Sequence, residues 1–422
     1  MKHIYLFTFQ KLGLDQGIKR YIDELSYAIS VVNNFKVTIV TFYSDNATLL
    51  PYEENGIRHI HVPMPQQQEN SRKFVYYDLK LYNIACAKIL EKHIDPNEQN
   101  IFHLNYNQHS LIIDHLRKIS PSAKIVFTIH FMRWVTAVDH DENRFKGIIT
   151  HNDLSTLTPK ELLCIDDFNS LKQICNNVDK IICLSTYTYY LLTSIYNIDT
   201  NKIAMVKNGV KDAPPVNHTQ LSTTLQESPL LEKSPKVLIY SGRIEENKGF
   251  HILLHALHKV IKKNKNVILI VAGTGDQAKF MKLANKCLGY IYFVGEVNHE
   301  ELNNLYGIAD IGVHPSLNEQ CSFSVLEMMR NGLPIIGFDL SGMKDIITTG
   351  NNGTKINVKK GVTITDQILE MVDDLAIAIL EYLENPQLIK ERGTYARERY
   401  LKEYSSQVFE SNMAYTYSNL II

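Results

Sequence analysis

Short apolar runs alternate with segments of helical period along most of this chain. HIYLFTF near the start is a strand, and Ile18, Tyr21, Ile22, Leu25 and Ile29 then follow helical spacing. AKIVFTIHF ends a strand at His130, and KIICLST (180–186) and KIAMVKNGV (202–210) are two more strands. From Val237 the order repeats. VLIYSGR leads into a helix carrying Phe250, Leu253, Leu254, Leu257 and Ile261; VILIVAGTGDQ, IYFVGEV, Asp310–His314 and GLPIIGFD follow as strands. Strands alternating with helices predict parallel sheets covered by helices, so the fold class is α/β. Between the two series, Asp212–Lys236 is rich in Pro, Ser and Thr and lacks period, which predicts a linker. The tail from Glu381 is helical, with breaks expected at Pro386 and Gly393. Tyr400, Tyr404, Val408, Met413, Tyr417 and Leu420 form its apolar stripe.

Chemistry concentrates where strands end. After the Asp310–His314 strand comes PSLNEQCSFSVLE, with Glu319 and Glu327 eight residues apart and a helix beginning near Val325. Such a loop offers backbone N–H groups and a helix dipole to an anion, with carboxylates that accept hydrogen bonds from hydroxyls on either side. By residue type alone, Glu319 reads equally as a loop carboxylate and Glu327 as a solvated helix residue. Arg243 and Lys248 flank the turn after VLIYSG; a guanidinium fork and a compact ammonium there suit phosphate oxygens, or are ordinary surface cations. Gly273 and Gly275 mark a further turn that lacks the full dinucleotide-binding glycine pattern. Gly17 opens the first helix, either to let a ligand approach the backbone or as a simple turn residue.

The segment Phe131–Lys160 is unusual. It holds the only Trp, Trp134, and the cluster Asp139, His140, Asp141, Glu142 and Arg144. An aromatic there stacks on a sugar or anchors a loop, and the carboxylates bind acceptor hydroxyls or face solvent. Adjacent positions such as Asp139, His140 and Asp141 converge poorly on one ion, so no metal site is assigned.

Composition narrows the class. With 422 residues there is room for two or three domains, each with its own core. Apolar residues at 45% and charged residues at 21% are ordinary for a soluble globular chain. A formal net charge of −1 disfavours nucleic acid, whose binders carry a basic excess. The first apolar run is short and precedes no small-residue cleavage site, so it reads as a strand and not as a signal peptide. No apolar stretch reaches spanning length. The six Cys show no CxxC or zinc-type spacing, as expected of reduced thiols in a cytoplasmic protein.

Taken in order, GRIEENKG, AGTGD, LYGIADIGVHPS, EQCSFSVLE and NGLPIIGFD resemble the C-terminal half of the family 4 retaining glycosyltransferases. The N-terminal matches are fainter: Gly17, His130 and NGV at 208–210. The chain departs from the family pattern at Gln16, Gln320 and Ser322, where glycine is frequent. The resemblance implies a GT-B architecture, two Rossmann-like domains facing a cleft, with a C-terminal helix crossing back onto the first domain. The corresponding boundaries are 1–212 for an acceptor-side domain, 213–235 for the linker, 236–400 for a nucleotide-sugar-binding domain and 401–422 for the crossing helix.

It further implies sugar transfer from a nucleoside diphosphate sugar, with a UDP or GDP leaving group, to a hydroxyl of a glycan, lipid or peptide, with retention at the anomeric carbon. Arg243 and Lys248 would stabilise the leaving diphosphate together with the N–H groups around Ser322, Phe323 and Ser324. Glu327 would hold the ribose, Glu319 the transferred sugar, His130 would position that sugar, and Gly17 would admit the diphosphate and acceptor. No cofactor beyond the donor and no metal is implied, because the cations neutralise the leaving group. Relatives often act at membrane surfaces, which extends the expected location to the inner membrane face. A subgroup with a similar aromatic and acidic stretch after the histidine lies beside peptide-modifying enzymes, which keeps a peptide acceptor in view. Two alternatives share the architecture: a nucleotide-sugar epimerase, and a non-catalytic partner of another transferase.

Overall fold

The structure, a computed structural model, describes residues 2–10, 16–32, 35–46, 50–64, 76–213, 235–359 and 361–421. Nearly all of the expected linker and residues 11–15 of the first glycine loop lie outside them. The chain divides into two compact units: Met1–Met132, Ile165–Lys207 and Ser406–Ile422 in the first, Arg133–Cys164 and Asn208–Ser405 in the second.

The first unit is built on eight strands: β1 (Lys2–Phe9), β2 (Phe35–Ser44), β3 (Tyr52–Glu54), β4 (Ile57–Pro63), β5 (Gln99–Leu104), β6 (Lys124–Ile129), β7 (Lys180–Cys183) and β8 (Ile203–Met205). Their order is β3-β4-β2-β1-β5-β6-β7-β8, parallel except for β3, which pairs antiparallel with β4 at the edge. The second unit holds β9 (Lys236–Ser241), β10 (Val267–Ala272), β11 (Ile291–Gly295), β12 (Ile311–His314), β13 (Ile335–Phe338) and β14 (Gly353–Ile356). They run in the order β11-β10-β9-β12-β13-β14, all parallel. Every residue of β10 is buried, as expected of a central parallel strand with both faces covered.

Both sheets reverse direction once, between β1 and β5 and between β9 and β12. In open parallel sheets that reversal parts the loops at the carboxyl ends of the strands and opens a crevice for ligands. In the second unit, the two loops flanking the reversal are the ones that carry Arg243 and Lys248 after β9, and Glu319 after β12.

Close backbone contact joins those two loops. Gly249 starts the helix Phe250–Lys263 at φ +66°, and a Cβ there would sit 1.9 Å from the Pro315 carbonyl oxygen. The Leu317 N–H donates to the Asn247 carbonyl at 2.9 Å, closing the same seam. Glycine is needed at 249 for its left-handed conformation and for the missing side chain.

Four expectations change. The Phe131–Lys160 stretch is largely helical, with Arg133–Ala137, Glu142–Ile149 and the start of Pro159–Asn177. Residues 133–164 cluster with the second unit, although they follow a strand of the first. Gly393 does not break the tail: the helix Pro386–Glu403 runs through it, and a Cβ would meet the Gly332 carbonyl oxygen at 2.2 Å. Pro386 begins a new helix, where its missing N–H costs nothing. Finally, Tyr400 and Tyr404 stay with the second unit, donating to the carbonyls of Val210 (2.9 Å) and Asp345 (3.2 Å). The segment that joins the first unit begins at Ser406, and there Met413 and Tyr417 are buried.

All six cysteines are free and buried. Among the described residues no helix is long and apolar enough to cross a membrane.

Gly249→Ala is expected to cost at least about 1–3 kcal/mol in backbone strain alone, with the Pro315 clash added. Urea unfolding would show this as a lower midpoint with an unchanged slope; an unchanged midpoint would mean the seam opens freely.

Candidate functional site

At the β9/β12 reversal, Lys248 Nζ lies 2.5 Å from Glu319 Oε1, and both side chains are mostly buried. His314, the last residue of β12, donates from Nε2 to the same oxygen at 3.3 Å. Burial alone would raise the Glu319 carboxyl, but the Lys248 ammonium and the His314 N–H more than offset it and hold it well below the usual carboxylate range. Both bonds fall on Oε1. Glu319 Oε2 takes no hydrogen bond among the described residues, so it is available to a hydroxyl donor. The carbonyl of Glu319 accepts the Gly342 N–H at 2.7 Å, pinning the loop from below.

Arg243 reaches Glu245 Oε1 at 3.0 Å, with both side chains more than a third exposed. An exposed pair of this kind is worth about 0–1 kcal/mol and yields readily to a better anion. The backbone of Arg243 is fixed independently: the buried Tyr240 hydroxyl donates to its carbonyl at 2.5 Å, and the flanking Ile244 N–H bonds Thr274 at 2.8 Å.

The helix Phe323–Arg330 follows directly, and its N-cap, Ser322, makes no side-chain cap. The N–H groups of Phe323 and Ser324 therefore carry the unsatisfied donors of a first helical turn, on half-buried residues. Glu327, one turn on, is buried and not the solvated residue its position allowed. Tyr306 donates to its Oε2 at 3.3 Å, and the Tyr306 oxygen is 2.6 Å from Ser241 Oγ. The carboxylate can only accept, so the tyrosine proton points to Glu327 and the Ser241 proton to the tyrosine. Asn208, of the NGV turn, donates to the Cys321 carbonyl at 2.7 Å just ahead of the helix.

In the first unit, His130 follows β6 and is half-buried. Burial pushes its pKa down to about 3. Its ring meets Tyr21 edge-on at 4.7 Å, and its Nε2 lies 3.0 Å from Asn105 Oδ1. A Cβ on Gly17 would meet nothing within 4 Å among the described residues, so their packing does not require glycine there.

In the 133–164 segment Trp134, Asp139, Asp141 and Arg144 make structural contacts. Trp134 is buried and stacks on Phe145 at 3.8 Å, which removes it as a sugar platform. Asp141 caps the helix Glu142–Ile149 through Asn143 and Arg144, both at 3.0 Å. Asp139, at φ +53°, accepts from the Thr365 N–H at 3.1 Å. Arg144 pairs with Glu161.

Sequence reasoning brought Arg243, Lys248, Glu319, Glu327, Ser322, Phe323 and Ser324 to one end of one sheet, where the structure places them. It passed over His314, Tyr306, Ser241 and Asn208. All four lie in or beside the motifs that carry the family resemblance, Tyr306 and His314 in LYGIADIGVHPS, Ser241 just before GRIEENKG and Asn208 in NGV, and a histidine closing a strand was the signal available.

Two parallel α/β units, each with a single reversal, are the GT-B fold, and solved structures of that fold match along the whole chain. Sucrose-phosphate synthase from Thermosynechococcus elongatus superposes with a TM-score of 0.73 at 18% identity, covering 100% of this chain and 99% of that one. Anabaena HepE, solved in complex with UDP and glucose, gives 0.67 at 15% identity, covering 98% and 99%. Residues 16–213 match the family Glycosyltransferase Family 4, and residues 222–399 match Glycosyl transferases group 1. The chain belongs to this glycosyltransferase family. It is 27% identical over 213 residues to an uncharacterized glycosyltransferase of Methanocaldococcus jannaschii, a match covering 49% of this chain and 53% of the relative. That span is about half the length of the relative.

Since the folded-state pKa of Glu319 is depressed, the pair contributes stability above the ordinary value of 4.5 and loses it as pH falls below that value. Glu319→Gln is expected to be less stable than wild type by about 1.5–3 kcal/mol at pH 7. The gap should narrow steadily below pH 4.5 in urea titrations; a gap independent of pH would contradict the assigned pairing.

Proposed function

We propose that this protein transfers a sugar from a nucleoside diphosphate sugar to a hydroxyl acceptor with retention of anomeric configuration. The observation that carries the proposal is the convergence, at the β9/β12 reversal, of two cations, a helix start with free N–H groups, and two carboxylates held by neighbouring donors. That set matches a diphosphate flanked by two hydroxyl-bearing groups.

Each residue then takes a role. Lys248 has three donors and gives one to Glu319, leaving two for phosphate oxygens. Arg243 releases an exposed partner to bind the same diphosphate. The N–H groups of Phe323 and Ser324, beside Ser322, add fixed dipoles where negative charge grows on the leaving group. Glu319 Oε2 accepts from hydroxyls of the transferred sugar, and Glu327 holds the ribose. His130 positions the sugar, and Gly17 leaves room for substrate near the first helix. Attack occurs on the face the diphosphate leaves, and the departing phosphate takes the acceptor proton, so no enzyme nucleophile is needed. UDP is the first nucleoside diphosphate to test, because HepE is a UDP complex of the same fold.

A thermal-shift panel of UDP, GDP, ADP, CDP and dTDP is the first test. One diphosphate should stabilise the wild type, and Arg243→Ala or Lys248→Ala should each weaken its binding by about 1.5–3 kcal/mol. Undiminished affinity in both variants would remove the diphosphate assignment.

Glu327→Ala is expected to lower nucleotide affinity, whereas Glu319→Ala should lower kcat at similar affinity. The opposite pattern in kinetics and calorimetry would exchange their roles.

A further inference from the structure

Beside His130 in the first unit runs a hydrogen-bonded chain of neutral groups. Tyr417, His103, Thr128 and Tyr21 form a buried chain: His103 Nδ1 lies 2.5 Å from the Tyr417 hydroxyl, His103 Nε2 lies 2.6 Å from Thr128 Oγ1, and Thr128 Oγ1 lies 3.1 Å from the Tyr21 hydroxyl. The titratable groups that face His130 are Tyr21 and His103; His103 is held neutral by burial, with a pKa pushed down to about 3, and Tyr21 is pushed up. No carboxylate is recorded against the His130 ring among the described residues.

Asn105, the residue after β5, is buried and makes three directional contacts. Its Nδ2 donates to the Phe7 carbonyl at 3.1 Å. Its backbone N–H donates to His109 Nδ1 at 3.3 Å. Its Oδ1 faces His130 Nε2 at 3.0 Å. The first contact sets the amide: a carbonyl only accepts, so the NH₂ group must point to Phe7 and the oxygen to His130. Two acceptors cannot share that contact, so His130 carries its proton on Nε2. His109 strengthens the arrangement at a cost. With Nδ1 accepting from Asn105, the proton of the neutral ring sits on Nε2, which is buried among Phe7, Phe9, Phe42 and Tyr106 without a hydrogen-bond partner.

We infer that Asn105 is a positioning residue that locks His130 in the Nε2–H tautomer, so that Nδ1 presents only a lone pair and the His130 ring recognises a hydroxyl donor and not an anion. His130 Nδ1 has no hydrogen-bond partner among the described residues. The inference rests on the glycosyl-transfer reading only for the identity of that hydroxyl, on the donor sugar or the acceptor. The tautomer itself follows from the protein alone.

The test is long-range ¹H–¹⁵N correlation on histidine-labelled full-length protein at pH 7, with His130→Gln used to assign the ring signals. A protonated, pyrrole-type Nε2 and an unprotonated, pyridine-type Nδ1 are expected in the wild type without any substrate. An Nδ1–H tautomer or an imidazolium at pH 7 would overturn the inference, whatever the protein transfers. In Asn105→Leu, checked for folding by near-ultraviolet circular dichroism, the His130 signals should move toward the other tautomer. Once a donor is identified, kcat/KM should fall at least tenfold in this variant while the nucleoside diphosphate Kd stays unchanged. Asn105→Asp should instead raise the His130 pKa and shift the acid limb of the kcat/KM profile to higher pH. Wild-type signals and an unmoved pH profile in both variants would show that Asn105 does not set the ring.

Discussion

The Lys248–Glu319 pair is the constraint around which the second unit's site is arranged. Its partners lie 71 residues apart in sequence, on the two loops that part at the β9/β12 reversal. A mostly buried ion pair gains little net stability, because desolvation opposes the Coulomb attraction, yet losing one partner leaves a charge stranded. The pair therefore acts mainly as a positional lock. His314 shares the same oxygen, so the second oxygen of Glu319 is aimed by two bonds it does not make. The Gly249–Pro315 contact beneath sets the spacing over which the two side chains meet, and a side chain at 249 would lengthen it.

The two units use the same sheet logic for different chemistry. In the second, the groups at the reversal are charged, and carboxylates and cations offset each other. In the first, the buried groups near His130 are hydroxyls, an amide and neutral histidines, with burial driving His103, His109 and His130 all down to about 3. A neutral surround favours directional recognition of hydroxyls, and a charged one favours phosphate. The fold itself enforces neither.

The 133–164 segment shows how one sequence cluster supports two readings that only packing separates. Trp134 with three acidic residues, a histidine and an arginine reads either as a binding loop or as a charged loop pinned by its aromatic. The acidic side chains of Asp139 and Asp141 instead satisfy backbone N–H groups, and Trp134 fills a stack with Phe145. Helix caps and binding carboxylates draw on the same residue types, because both need an oxygen that accepts from a donor.

What the chain determined by itself was local: the alternation of strands and helices, the turn residues after β9 and β12, and the residue types gathered there. Those follow from period and spacing, which act over a few residues. The order of strands, and with it the meeting of residues 248 and 319, required tertiary pairing, since nothing near either residue names its partner. The burial of Glu327 under Tyr306, the passage of a helix through Gly393, and the departure of residues 133–164 from the first unit were likewise decided there. Each depends on close contact between segments distant in sequence, where a missing Cβ or a single hydroxyl settles which surfaces can touch.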